Sequence, residues 1–345
     1  MGKHHTRRFE QIFTRFTRKK NIYEGSLLIE NKTGDFSFYQ SYSGLTVDSP
    51  LLMASITKLF TTTCILRLLE QGKISLDEKI AAYFDKQLLE GLHMYRGQDY
   101  SFDLTIYDLL FQTSGLPDIY EERKNSMKSR VIQEDFHLSF EEIIEKTKHL
   151  KPHFAPNSKG KAYYADVNFD LLGEIIKKAS DQTLSDAYKQ FIVSPLDLVA
   201  TYLIEGENDK MPHIYYKDQQ LHRPMFIQNS ASGGSVTTTA ELMVFIKAFF
   251  GSKLFNKTIF TTLATYRKLQ IMMGPIHYGG GYMQIPLGGA STLFQGEGEL
   301  IGHSGSTGSL AFYHPQKDLY FVGNVNQMAS AVPIRLAMQL AMAAK

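Results

Sequence analysis

The sequence predicts an α+β fold, with one antiparallel sheet built from both chain ends, flanked by helices, and a helical lobe inserted between them. Three observations predict it. Short strand-like runs occupy residues 23–42 and return from residue 280 onward. Between about 75 and 203 the apolar spacing is mostly helical. The strand-like runs follow one another across short turns, which antiparallel pairing allows and parallel pairing does not.

At 345 residues the chain sits near the length at which one core divides into two lobes. The division reads as a basic amphipathic N-terminal helix over 1–21, an α/β lobe from 22–75 with 205–345, and the helical lobe over 76–204. In the first segment Phe9, Ile12, Phe13 and Phe16 recur at helical spacing among Arg7, Arg8, Arg15, Arg18, Lys19 and Lys20. Packing on the domain is the favoured role for that stripe, and peripheral contact of residues 7–20 with an anionic membrane is the alternative. Gly2 with Thr6 also fits a short myristoylation pattern. "YEGSLLIENKTGDFSFYQSY" then reads as two strands about an Asn-Lys-Thr-Gly-Asp turn. A helix over 55–71 follows and stops at Gly72, a residue suited to the left-handed conformation after a helix end. Helical segments are expected in "SLDEKIAAYFD", "LTIYDLLFQT", "SFEEIIEKTKHL", "VNFDLLGEIIKKAS" and "TLSDAYKQFIV". Thr238, with Glu241 three residues on, predicts a capping box opening "AELMVFIKAFF". Strands return in "GGYMQIPL", "ELIGHSG", "SLAFYHP" and "DLYFVGNVN", and a last helix covers about 329–343.

Composition removes several classes of function. A net charge of +2 gives no pull toward nucleic acid, and 43% hydrophobic residues are ordinary for a globular protein. Cys64 is the only cysteine, so neither an intrachain disulfide nor a cysteine-based metal site can form. No apolar run has the length of a secretory h-region or a membrane span, so the expected location is cytoplasmic. His149 and His153 are separated by Pro152 and do not make a helical metal pair. Glycines 279–281 read as a strand bend rather than a phosphate cradle. No metal and no cofactor are expected.

The chemistry is sought in the helix that begins at "MASITKLFTTT". Ser55 and Lys58 are three apart and share one helix face, so the amine can reach the hydroxyl. Lys58 is the only charge between Ser55 and Leu66, which places it in a buried helix. Burial and the positive end of the helix dipole both disfavour an ammonium there, making the amine a candidate proton acceptor for an activated serine. The other reading is a serine N-cap beside a lysine that snorkels to solvent. About two chance Ser-x-x-Lys matches are expected in a chain of this composition. The second, Ser158 with Lys161, lies between Pro156 and Gly160 and reads as a loop.

Two later stretches decide between these readings. "KAYYADVNFDLLGEII" carries Tyr164 and Asp166 just before a helix, and "LIGHSGSTGSLAF" carries His303 on a strand. Ser-x-x-Lys, then Tyr-x-Asp, then His-x-Gly, in that order, resembles the serine beta-lactamase and penicillin-binding protein family. The branch it most resembles is that of the class C beta-lactamases with their related esterases and D-aminopeptidases. "SLDEKIAAYF", "LTIYDLLFQTSGLPD" and "SASGGSVTTTAELMVF" are also similar, and the resemblance covers roughly residues 23–340. A literal Lys32-Thr33-Gly34 precedes Ser55 in the first hairpin and is read as turn, leaving His303-Ser304-Gly305 as the third motif. The resemblance implies a beta-lactamase-like fold and a serine hydrolase with Ser55 as nucleophile and an acyl-enzyme intermediate. It implies that Lys58 and Tyr164 share the general-base work, the phenol being acidified by the ammonium, and that Tyr164 then protonates the leaving group. The backbone N–H groups of Ser55 and Ser306 would form the oxyanion hole, with Asp166, His303, Ser304 and Gly305 binding substrate and Gly305 letting it approach the strand.

Two departures bear on the substrate. Asp166 stands where the family has Asn, and an ionised carboxylate only accepts hydrogen bonds and adds negative charge; a helix N-cap is the competing role for it. His303 replaces a lysine and is mostly neutral at pH 7. Both changes count against an efficient beta-lactamase or DD-carboxypeptidase, and His-x-Gly instead resembles the esterase and D-aminopeptidase branches, which implies a small-molecule ester, amide or peptide substrate. The alternatives are a true beta-lactamase or DD-carboxypeptidase, and a non-catalytic or slowly deacylating sensor on the same scaffold.

Overall fold

The computed structural model describes residues 3–122, 126–251, 253–256, 258–289, 292–293 and 295–344. Gly2 of the myristoylation pattern lies outside these residues. Eight strands form the main sheet in the spatial order Arg267–Lys268, His277–Tyr278, Met283–Pro286, Glu299–Ser304, Ser309–His314, Leu319–Asn324, Gly25–Asn31 and Ser37–Tyr42. Every neighbouring pair is antiparallel. Both chain ends therefore meet in one sheet. The first hairpin zips onto the last strand with Ser26 opposite Asn324 and Asn31 opposite Leu319. Lys32, Thr33 and Gly34 form its exposed turn.

Helices cover the sheet on both faces because their apolar stripes need burial that solvent cannot supply. Helix Thr239–Gly251 packs on Leu319–Asn324, Ser309–His314 and Gly25–Asn31. The N-terminal helix Lys3–Thr17 packs against the C-terminal helix Val332–Ala343. Phe9, Phe13 and Phe16 are fully or almost fully buried, Phe9 against Phe36 and Phe38 of the first hairpin, so the stripe that also suited a membrane is occupied by the domain itself. Among the described residues no helix is long and apolar enough to cross a membrane.

A second sheet was not legible in the sequence. Ser235–Thr238 pairs with Pro50–Leu52 on one side and Tyr202–Leu203 on the other. Strands of two to four residues are too short to show a period of two. This small sheet leads the chain into the turn at Ser55, and it ties residue 202 of the inserted lobe to the sheet lobe.

Several local expectations need correction. Residues 75–85 contain only the short 3₁₀ turn Ile80–Ala82, held by Ile80 N–H bonding the Leu104 carbonyl rather than a helical neighbour. The inserted lobe includes a small hairpin, Met94–Tyr95 with Gln98–Asp99, among its helices. Helix Leu184–Tyr188 continues as a π turn over Lys189–Val193. Only half of the capping box at Thr238 forms: its hydroxyl accepts from Glu241 N–H at 3.2 Å. The Glu241 carboxylate turns away to accept from the N–H groups of Val199 and Ala200 and from the Thr201 hydroxyl.

Candidate active site

The long central helix starts as expected, but Ser55 sits just before it, in the 3₁₀ turn Ala54–Ile56 that feeds Thr57–Glu70. Ala54 has φ +45°, a left-handed conformation that costs energy for a residue with a side chain. The turn is over-determined by its neighbours. Met53 N–H donates to the Ser235 carbonyl at 2.9 Å, and the Met53 carbonyl accepts from Ser309 Oγ at 2.8 Å. Thr307 Oγ1 donates to the Leu52 carbonyl at 3.2 Å. Gly305 is required by this approach: a Cβ there would lie 2.4 Å from the Met53 carbonyl oxygen. Its bareness admits the turn that carries Ser55.

Lys58 is fully buried and does not snorkel. Its Nζ lies 3.2 Å from Ser55 Oγ, 2.8 Å from the Ser232 carbonyl and 2.7 Å from Asp166 Oδ1. The Tyr164 and Phe169 rings flank it at 5.1 and 5.5 Å. Helix Val167–Ser180 opens at Asp166, yet the Asp166 side chain makes no capping bond and pairs with Lys58 instead. A buried ammonium needs a counter-charge more than a helix end needs one extra acceptor.

Tyr164 comes from the segment 161–165, which has neither helix nor strand, and its hydroxyl is buried beside Ser55 with no hydrogen bond of ordinary geometry. Burial, with the Asp166 carboxylate adding to it, pushes the phenol well above its usual range, against the smaller pull of the Ser55 hydroxyl. The expected acidification by the lysine is thus overturned: Tyr164 keeps its proton in the resting site.

His303 lies on the strand Glu299–Ser304 and is fully buried. Its Nδ1 is 2.9 Å from the Ser304 carbonyl, an acceptor only, so Nδ1 carries the proton and Nε2 is left as a buried acceptor. Burial first, and the Lys58 charge second, push it down to about 3, so the imidazole is neutral. Its ring sits 6.0 Å from both the Tyr164 and Tyr278 rings, behind the site. The fully buried His303 does not line the cavity.

The cleft between the lobes holds a cavity of about 1740 Å³ whose wall includes Ser55, Tyr164, Asp166, Ser304, Gly305 and Ser306. Among the described residues, neither Ser55 nor Ser306 N–H donates to a backbone carbonyl of the turns around it. Two acids missed in the sequence join the site. Asp118 is buried, and burial together with the Asp166 charge holds its carboxyl well above the usual range. Asp170, one helical turn beyond Asp166, is pushed up to about 7 by burial and by Asp166, against Lys58 and the Ser232 hydroxyl. The i, i+4 spacing of Asp166 and Asp170 was the one available sequence signal. Ser158 and Lys161 are far from this constellation in role, Ser158 Oγ capping the Ala155 carbonyl at 2.6 Å in a loop. His153 pairs with Glu122 at 2.8 Å, and no group of metal-ligating side chains occurs among the described residues.

Comparison with known proteins gives a consistent picture. The profile of the family described as Beta-lactamase matches residues 10–344. Among curated proteins, Protein flp of Staphylococcus aureus (strain NCTC 8325 / PS 47) is 29% identical over 204 residues, covering 56% of this chain and 37% of that protein. Esterase EstB of Burkholderia gladioli is 23% identical over 225 residues, covering 61% of this chain and 55% of the esterase. The matches thus span between a third and just over half of these relatives' lengths. Among solved structures, a D-stereospecific amidohydrolase from Streptomyces sp. superposes with a TM-score of 0.75 at 20% identity, covering 97% of this chain and 98% of that one. The D-amino acid amidase of Ochrobactrum anthropi SV3, in its complex with L-phenylalanine, gives 0.78 at 18% identity with 98% of both chains covered. At these identities the structures speak for the fold.

Proposed function

The chain belongs to the beta-lactamase family, and from that premise we propose that it is a serine hydrolase that cleaves a small ester or amide through an acyl-enzyme on Ser55. The observation that carries this is the buried Lys58 ammonium held 3.2 Å from Ser55 Oγ on the wall of the cleft cavity. A buried charge is costly, and a structural scaffold gains nothing from one beside a serine.

In this reading Ser55 Oγ attacks the substrate carbonyl while its proton passes to Lys58, which relays one to Asp166 Oδ1 at 2.7 Å. Charge on the carbonyl oxygen falls to the Ser55 and Ser306 N–H groups. Tyr164, protonated in the resting site, gives its proton to the leaving group; Lys58 then passes a proton to the phenolate and takes back the one held on Asp166, which returns all three groups to their starting states. Asp166 is then proton acceptor first and substrate neighbour second. The neutral, buried His303 supplies no cation for a substrate carboxylate, and Asp166 sets a carboxylate on the cavity wall beside Lys58. That balance supports uncharged or amine-bearing substrates, as for an esterase or D-aminopeptidase, over penicillins or peptides presenting a carboxylate.

The test is intact-mass spectrometry after a fluorophosphonate probe. One adduct on the wild type, absent from Ser55→Ala, is expected. An adduct that persists in Ser55→Ala assigns the wrong serine, and none on folded wild type points to the non-catalytic scaffold.

A further inference from the structure

Tyr164 has to be aimed at Ser55 from a segment with no regular structure of its own, and two distant side-chain amides take the place of a strand partner. Tyr164 N–H donates to Gln270 Oε1 at 2.9 Å, and Gln270 Nε2 donates back to the Tyr164 carbonyl at 3.4 Å. The next peptide is held the same way, with Ala165 N–H donating to Gln112 Oε1 at 2.9 Å and Gln112 Nε2 donating to the Ala165 carbonyl at 3.3 Å. Gln112 is itself fixed: it is fully buried, and its Oε1 also accepts from Asn168 Nδ2 at 2.5 Å. It belongs to the frame of the lobe. Gln270 differs. It is half-buried and comes from the other lobe, on the segment that enters the 3₁₀ turn Ile271–Met273. That turn forms a lip of the cavity through Met272 and Met273, and Leu269 N–H to the Ile276 carbonyl at 3.1 Å closes its base.

We propose that Gln270 is the positioning residue for Tyr164, a two-point clamp by which the cavity lip sets the aim of the proton donor. The inference rests on the acyl-transfer reading above. Gln270 holds the peptide before Tyr164 by its N–H and the peptide after it by its carbonyl, so both backbone torsions of Tyr164 are held, and a change in them is the motion that would swing the phenol away from Ser55. Misplacement of a catalytic group by about 1 Å is enough to lose on the order of 100-fold in rate.

Positioning of a proton donor has a signature that general loosening lacks. An alkoxide leaving group needs a proton as it departs, and p-nitrophenolate does not. Steady-state kinetics on the ethyl and p-nitrophenyl esters of butyrate, for wild type, Gln270→Ala, Gln270→Glu and Tyr164→Phe, read this directly. For Gln270→Ala, kcat/KM on the ethyl ester is expected to fall about 10- to 100-fold, and on the p-nitrophenyl ester by less than about 3-fold. Gln270→Glu keeps the acceptor for Tyr164 N–H and should recover part of the loss. In the Tyr164→Phe background, Gln270→Ala should add little, because both changes remove one function. Equal losses on the two esters, or full additivity with Tyr164→Phe, would overturn the proposal even if the variants melt at the wild-type temperature. Wild type that turns over neither ester and takes no Ser55 adduct overturns the acyl-transfer reading instead, a result distinct from a clamp that proves idle in an active enzyme.

Discussion

Lys58 sits among one carboxylate at 2.7 Å and two further acids that its charge reaches, and the acids divide the protons between them. Burial and the Asp166 charge raise both further acids, and Asp170, pushed up to about 7, changes charge in the neutral range. The sign of the stability effect follows. Between the unfolded value of 3.8 and about 7 the folded chain holds a proton on Asp170 that the unfolded chain has lost. Stability from this residue is therefore full at low pH, declines as pH rises through that window, and is flat above it. Asp170→Asn removes the decline. Urea unfolding at pH 4 and pH 8 should show the variant gaining on wild type by roughly 4 kcal/mol at the higher pH. A difference that does not change with pH would mean Asp170 does not titrate in this window.

At the scale of elements, the site depends on the end of one strand passing close to one turn. Glu299–Ser304 delivers Gly305 against the Met53 carbonyl, and Ser309 on the next strand holds that carbonyl by a hydrogen bond. Gly305→Ala places a Cβ where Met53 and Ser309 already stand, so the turn carrying Ser55 must move. The expected result is a loss of esterase kcat of about 100-fold or more, with a modest fall in melting temperature of a few degrees. Fluorophosphonate labelling at the wild-type rate in Gly305→Ala would contradict this. The central helix shows the opposite case, an end decided locally. Gly72 takes φ +66°, its N–H bonds the Leu69 carbonyl, and Lys73 N–H bonds the Leu68 carbonyl, closing the helix with its own neighbours.

Across the whole molecule, the two termini hold each other. The first hairpin pairs with the last strand, and the first helix packs on the last helix. Phe13 on the first helix is fully buried, its ring beside Gly25 at the start of the first hairpin. Phe13→Ala should cost about 3 kcal/mol in chemical denaturation while leaving kcat/KM near wild type where the chain is folded. A cost below about 1 kcal/mol would mean that the helix adds little to the domain.

What the sequence determined alone lies in features whose partners are near in the chain or repeat with a period. The Ser55/Lys58 spacing, the Gly72 stop, the helical stripes of 140–148 and 167–180 and the alternation of the last strands are all of that kind. So is the antiparallel order of consecutive strands, and with the ordered motifs these sufficed to reach the family and the fold. Tertiary structure decided the rest, because it concerns burial and long-range approach. It sent Asp166 to Lys58 instead of to its helix end, and it withdrew His303 from the cavity wall. It raised Tyr164 where a nearby cation alone suggested lowering, and it brought Asp118, Asp170, Ser232 and Gln270 to the site. Proton affinity follows from the solvent and charges around a group, and only the folded chain determines which charges those are.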